Sequence, residues 1–238
     1  MNNIRLICFD LDDTLWPCMP TITKAEAKLY QWLQVNKPEI TSRYTINELR
    51  HKRTELARSQ PAISHNLTAL RKASLHELAN EFNEKTDWID EAFKVFYEAR
   101  QNVIFYDDVE PVLNRLNAKF SLAAMTNGNA DIGRTSLGFL FDHSISAEKV
   151  GAAKPDPLMF QALIEQAGVK VSEVLCIGDH PVHDIEGAHN IGISNVWLNR
   201  QKLDWPHDSF RPDHTVQSLY EILALLGCNE LNPVHPSA

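Results

Sequence analysis

The chain has 238 residues, 44% of them hydrophobic and 23% charged, with a formal net charge of -8. That apolar content excludes a disordered chain, and the length suits one large domain or a core carrying an insertion. The acidic balance argues against binding along a nucleic-acid backbone, which needs clustered Lys and Arg to displace counterions. A small anionic substrate stays open, because local cations and a metal overcome a weakly acidic field.

The first element is an apolar run from Ile4 to Phe9, which ends in three carboxylates, Asp10, Asp12 and Asp13. Near-continuous apolar sequence is what a parallel strand buried on both faces shows, and the carboxyl ends of such strands are where open α/β sheets place their sites. The period-2 geometry of an extended chain puts Asp10 and Asp12 on one side, with Leu11 turned away. Two like charges that close call for a divalent cation, and Mg²⁺ prefers hard oxygen ligands. The plainer reading is a polar turn in which Asp13 or Thr14 caps a helix.

After the break at Trp16-Pro17 the pattern turns helical from about residue 21 to 100, with almost no strand signal. Ala25, Leu29, Trp32 and Leu33 mark one helix, Leu49, Arg53, Leu56 and Ala57 a second, and Leu67 to Phe82 a third region. Residues 88–97 mark a fourth. Stripes at this spacing are ordinarily bundle core. Residues 107–116 read as a helix opened by Asp108, and 120–125 as a strand ending in Thr126-Asn127-Gly128, where a hydroxyl and free N-H groups suit an anion.

A helix is predicted over residues 130–140, a turn and short strand over 141–146, and a helix from Pro157 to Ala167 preceded by Lys154-Pro155. Residues 174–178 form another apolar strand running into Asp179-His180-Pro181-Val182-His183-Asp184. This second acidic pair supplies the rest of a protein shell for Mg²⁺. A helix over 185–192, a last clear strand over 193–198 and a closing helix over 216–226 complete the prediction, with a frayed tail at 229–238. His180 and His183, at i, i+3, either line the pocket or make a transition-metal site.

The four cysteines show no C-x-x-C spacing, and Cys8 and Cys176 lie inside apolar runs, where a thiol is a small buried hydrophobe. A reducing, cytoplasmic setting is expected. With no apolar run approaching 18 residues and no basic start before one, neither a membrane span nor a signal peptide is expected.

Asp10-Leu11-Asp12-Asp13-Thr14-Leu15 resembles the first signature, Asp-X-Asp-X-Thr, of the haloacid dehalogenase-like (HAD) hydrolases. Thr126, Lys154 before its proline, and Gly178-Asp179 with Asp184 match the second, third and fourth in order. The resemblance implies an α/β Rossmann-like, doubly wound parallel sheet with an inserted all-helical cap. Residues 1–17 and 101–228 would form the core, 18–100 the cap, and 229–238 a flexible tail. It also implies a Mg²⁺-dependent phosphatase working on a small phosphorylated metabolite, with Asp10 as the nucleophile that forms an aspartyl-phosphate and Asp12 as general acid and base. Thr126, Asn127 and Lys154 would hold the phosphate. Asp10, the Asp12 backbone carbonyl, Asp179 and Asp184 would surround the metal.

The presence of Asp12 speaks against the metal-free dehalogenases of this superfamily, which lack that second acid. No cap lysine stands out of the kind phosphonate-cleaving relatives use. Residues 9–16, 65–68 and 124–130 are similar to a bacterial subgroup that dephosphorylates flavin mononucleotide and phosphoribitylaminouracil. His65, Asn66 and Arg71 are the cap candidates for substrate contact. The alternatives are a sugar or nucleotide phosphatase, or a phosphate-sensing or partner-binding protein without turnover. Either a monomer or a homodimer is compatible with the sequence, with neither nucleic acid nor membrane as partner.

Overall fold

The computed structural model describes residues 3–228, and the predicted tail at 229–238 lies outside them. Strands β1 (Leu6–Phe9), β2 (Ser121–Thr126), β3 (His143–Ser146), β4 (Val174–Gly178), β5 (Ser194–Leu198) and β6 (His214–Val216) form one sheet. Its order is β3-β2-β1-β4-β5-β6, and every pairing is parallel. From β1 the chain builds outward to β3 and then returns to β4 on the other side. The ends of β1, β2 and β4 therefore meet at the topological switch point, where such sheets form a crevice.

Alternation along β1 divides the core. Ile7 and Phe9 pack on one face with Val112, Leu113 and Leu116 of α6 (Val109–Asn117) and Ile222 and Leu223 of α10 (Tyr220–Leu225). Leu6 and Cys8 pack on the other with Met159, Phe160 and Leu163 of α8 (Pro157–Ala167). Both faces are covered, as continuous apolar strands require. Asp108 does precede α6, but its carboxylate turns to the Arg200 guanidinium, 2.9 Å from each oxygen, and accepts the Leu219 N-H at 2.8 Å.

Between β1 and α6 the chain forms α1 (Cys18–Asn36), α2 (Pro38–Arg43), α3 (Ile46–Ser59), α4 (Leu67–Glu81) and α5 (Ile89–Arg100). They have an apolar cluster of their own that includes Leu33, Ile40, Leu75, Leu78, Phe93 and Phe96. Glu26 is buried among three arginines, accepting from Arg50 at 2.5 Å and Arg53 at 2.6 Å and lying 3.5 Å from Arg71. The excursion begins and ends at one place. The Tyr106 N-H donates to the Leu15 carbonyl at 3.0 Å, and the Trp16 and Phe105 rings meet edge to face at 5.5 Å.

Three predicted helices differ, one strand was not predicted, and the insertion holds one helix more than expected. Residues 130–140 hold two short 3-10 turns, Ile132–Arg134 and Gly138–Leu140, instead of a helix. The Asp131 carboxylate caps the Gly133 N-H at 3.0 Å, and a Cβ on Gly138 would lie 2.4 Å from the Ile132 carbonyl. Local side-chain bonding of this kind competes with helix formation. The 185–192 helix begins earlier, as a widened π turn over Pro181–Glu186, and ends as α9 (Gly187–Asn190). The closing helix is shorter than the predicted 216–226, because Val216 belongs to β6. That sixth strand follows the predicted last one and is short and polar at the sheet edge. Five helices, rather than four, fill the insertion.

Candidate active site

Asp10 follows β1 directly, and its N-H donates to the Ile177 carbonyl of β4 at 2.9 Å, which fixes the first acid between two strand ends. Thr126 is the last residue of β2 and is buried. Lys154 arrives before α8, with its ammonium 2.7 Å from Asp10 Oδ1, 2.6 Å from Asp184 Oδ1 and 2.9 Å from the Met125 carbonyl. The Asn127 amide holds that segment in both directions, accepting from the Lys154 N-H at 2.7 Å and donating to its carbonyl at 2.9 Å. Asp10, Asp12, Asp13, Thr126, Asn127 and Lys154 thus line one cavity with Asp179, Asp184 and both histidines.

Two glycines permit the close packing. A Cβ on Gly128 would sit 2.9 Å from Asp12 Oδ2 and 3.2 Å from Thr126 Oγ1, and one on Gly178 would sit 2.3 Å from the Asp184 carboxyl. Asp13 takes a left-handed φ of 61°, and its Oδ1 accepts the Cys18 N-H at the start of α1 at 2.9 Å. The capping reading of this acidic run therefore falls on Asp13, while Asp10 and Asp12 face the cavity.

Burial raises the Asp10 carboxyl well above its ordinary range, with the charges of Asp184 and Asp179 adding to the shift and Lys154 opposing it. Asp179 is pushed up to about 7 by burial and by Asp184 and Asp13. For Lys154 burial alone would lower the pKa, but Asp10 and Asp184 outweigh it and hold the ammonium charged. Oxygens of Asp10, Asp179 and Asp184 all lie within 4.8 Å of one another. Three acids with one lysine between two of them remain short of positive charge. The donor set is all oxygen, and it fits Mg²⁺. The Asp12 carboxylate stands apart from this trio.

That carboxylate has partners the sequence reading missed. Arg100 Nη2 lies 2.6 Å from its Oδ1 and 2.5 Å from its Oδ2, and Trp16 Nε1 donates to Oδ1 at 2.8 Å. A signal existed: Arg100 continues the buried stripe of Phe93 and Phe96 on α5, where a cation is out of place.

The cap candidates do not line this cavity. Arg71 is buried against Glu26, with its guanidinium 3.4 Å over the Phe96 ring. Asn66 accepts the Ala69 N-H at 2.8 Å as the cap of α4, and His65 precedes it, half-buried. His180 Nδ1 accepts the Val182 and His183 N-H groups at 3.2 and 3.1 Å, and the two imidazoles stack 3.8 Å apart. With Nδ1 engaged by the backbone, the pair covers the cavity edge. Burial, then His180, lowers the His183 pKa.

Sheet order, insertion point and acid placement together define a hydrolase core of the doubly wound class. The family model for haloacid dehalogenase-like hydrolases matches residues 4–192, and the chain belongs to that family. It is 27% identical over 208 residues to the 5-amino-6-(5-phospho-D-ribitylamino)uracil phosphatase YigB of Escherichia coli K12, covering 86% of this chain and 87% of that protein. A glyceraldehyde 3-phosphate phosphatase of Methanopyrus kandleri is 26% identical, covering 92% and 96% of the two chains. A solved structure from Pseudomonas syringae pv. Tomato DC3000, described as a 2-haloacid dehalogenase, superposes with a TM-score of 0.87 at 35% identity, covering 94% and 98%.

Proposed function

We propose that the chain is a Mg²⁺-dependent phosphomonoesterase. The observation that carries this reading is the second acid, Asp12, anchored beside Asp10 at the cavity and next to Thr126. A halide leaves as a stable anion and needs no proton, whereas an alkoxide leaving group does, so a proton donor at the leaving group has work in phosphoester cleavage and none in carbon-halogen cleavage.

Lys154 engages Asp10 Oδ1, which leaves Oδ2 free of that bond to attack phosphorus. The Asp10 oxygen-phosphorus bond forms as the ester phosphorus-oxygen bond breaks, and Asp12 protonates the departing oxygen. Asp12 then takes a proton from water, which attacks the acyl phosphate at phosphorus and frees inorganic phosphate and the Asp10 carboxylate. Thr126 Oγ1 accepts the Gly128 N-H at 2.9 Å, so its own hydrogen is available to a phosphoryl oxygen. The Lys154 charge offsets the charge on those oxygens. Mg²⁺, held by Asp10, the Asp12 carbonyl and Asp179 with Asp184 behind, would supply the remaining neutralisation.

The cavity, about 170 Å³, is below the ~300–1,000 Å³ of sites that enclose a whole drug-sized ligand, so it suits the phosphoryl group itself. For the rest of the substrate, the likeness to YigB along most of both chains favours flavin-pathway phosphates. A dehalogenase is the second reading, favoured by the Pseudomonas structure.

Purified protein with Mg²⁺ is expected to hydrolyse p-nitrophenyl phosphate, to lose turnover in EDTA and to lose it in Asp10→Asn. Full activity in both conditions would end the proposal. In a panel of phosphorylated metabolites, flavin-pathway phosphates are expected near the top, and a preference for sugar phosphates would remove that refinement. Chloride release from 2-chloropropionate without phosphate release from any ester would establish the dehalogenase reading instead.

A further inference from the structure

Arg100 is a buried cation paired with Asp12, and packing alone does not account for it. It is the last residue of α5, only 1% exposed, and its Nη2 alone contacts both oxygens of Asp12. Its Nε and Nη1 are buried without a hydrogen-bond partner. A buried guanidinium with idle N-H groups is a poor stabiliser, since desolvation offsets the attraction and apolar side chains of similar volume often serve the fold as well or better. The surface pair Lys94–Glu98 on the same helix carries no such cost.

The orientation of the held carboxylate is specific. Oδ1 receives both Trp16 Nε1 and Arg100 Nη2, while Oδ2 receives Arg100 alone and faces Gly128 and Thr126, where the phosphoryl group would sit. Oδ1 thus carries two donors and Oδ2 one, and Oδ2 is the oxygen on the Gly128 and Thr126 side of the cavity. Trp16 and Arg100 stand at the two places where the chain leaves and rejoins the sheet, so the clamp is built from the junctions of the inserted helices.

We propose that Arg100 is a positioning residue which, with Trp16, aims the Oδ2 of Asp12 at the leaving-group oxygen. The inference rests on the phosphomonoesterase reading. The group being aimed acts on the departing oxygen, so the cost of losing the clamp depends on how badly that oxygen needs a proton.

The test compares kcat/KM, which reports the ester-cleaving step, for two Mg²⁺-supplemented substrates. One is 2,4-dinitrophenyl phosphate, whose phenolate leaves unaided, and the other is an alkyl phosphate such as glycerol phosphate. Arg100→Met is expected to lose on the order of 10²-fold with the alkyl ester, the low end of what a positioned acid contributes, and about threefold or less with the aryl ester. Arg100→Lys, which keeps a cation and a donor, is expected to recover part of the alkyl-ester loss. Trp16→Phe, which removes only the Oδ1 bond, is expected to show the same asymmetry to a smaller degree and stands in should Arg100→Met fail to fold by circular dichroism. Equal losses on both esters, or no loss on either, would overturn the inference and leave the phosphatase reading intact. A wild-type chain that cleaves neither ester would remove both.

Discussion

At the residue scale the cavity is organised by contacts too close for larger side chains. Gly128→Ala puts a methyl 2.9 Å from Asp12 Oδ2 and must displace that carboxylate or Thr126. Misplacement by about 1 Å at a reacting group costs up to ~10²-fold, so kcat/KM on an alkyl phosphate should fall steeply while the circular dichroism spectrum is unchanged. Asp179 gives a second prediction. Burial, then Asp184 and Asp13, push its carboxyl up to about 7, against ~3.9 in an unfolded chain, so between those values the folded state holds the extra proton. Stability in EDTA should therefore fall as pH rises from 4 to 7, and Asp179→Asn should flatten that slope. Urea denaturation at pH 4.5 and 7.5 measures both, and Mg²⁺ should reverse the loss at the higher pH. The acids and Thr126 were visible in the sequence because short strand-end motifs carry them, and Lys154 because it precedes a proline-initiated helix. The Arg100 partnership was not, because 88 positions separate it from Asp12 and no local pattern joins them.

At the scale of elements, packing inside the inserted helices depends on one buried charge knot. Removing the Glu26 charge would leave Arg50, Arg53 and Arg71 facing one another without a counter-ion. Breaking a buried pair of this kind costs ~3–5 kcal/mol, and Glu26→Gln should lower the urea midpoint by a corresponding amount at neutral pH. Three arginines, outweighing burial, hold the Glu26 carboxyl below its usual range. Its stabilisation is thus present above the unfolded carboxyl value and lost as pH falls through the lower folded one. Phe96→Ala, which opens space under Arg71, should cost ~3–5 kcal/mol by the same measurement. Long periodic helices and continuous apolar strands were legible from sequence because each repeats one signal many times. Residues 130–140 were not, since Asp131 and Gly138 govern the chain there by single contacts. Strand β6 escaped for a related reason: His214-Thr215-Val216 is too short and polar to announce a pairing that only the β5 edge creates. Arg71, a cap candidate for substrate contact, instead has its charge engaged by Glu26 inside the helical cluster.

On the scale of the whole molecule, no helix among the described residues is long and apolar enough to cross a membrane. The two parts also touch away from the cavity, where the Thr68 hydroxyl on α4 donates to Glu148 at 2.8 Å on α7 (Ala147–Val150). Leu15 and Tyr106, on either side of the helical excursion, are themselves hydrogen bonded. An excursion whose two feet touch imposes almost no geometric demand on the ground it stands on. Its length is free to grow, shrink or be exchanged wholesale, and the parallel sheet need not shift register to accommodate the change. Splicing a few flexible residues between Trp16 and Phe105 should accordingly yield a truncated protein that keeps the strand content of the parent by circular dichroism. The same site offers an engineer a socket for foreign modules.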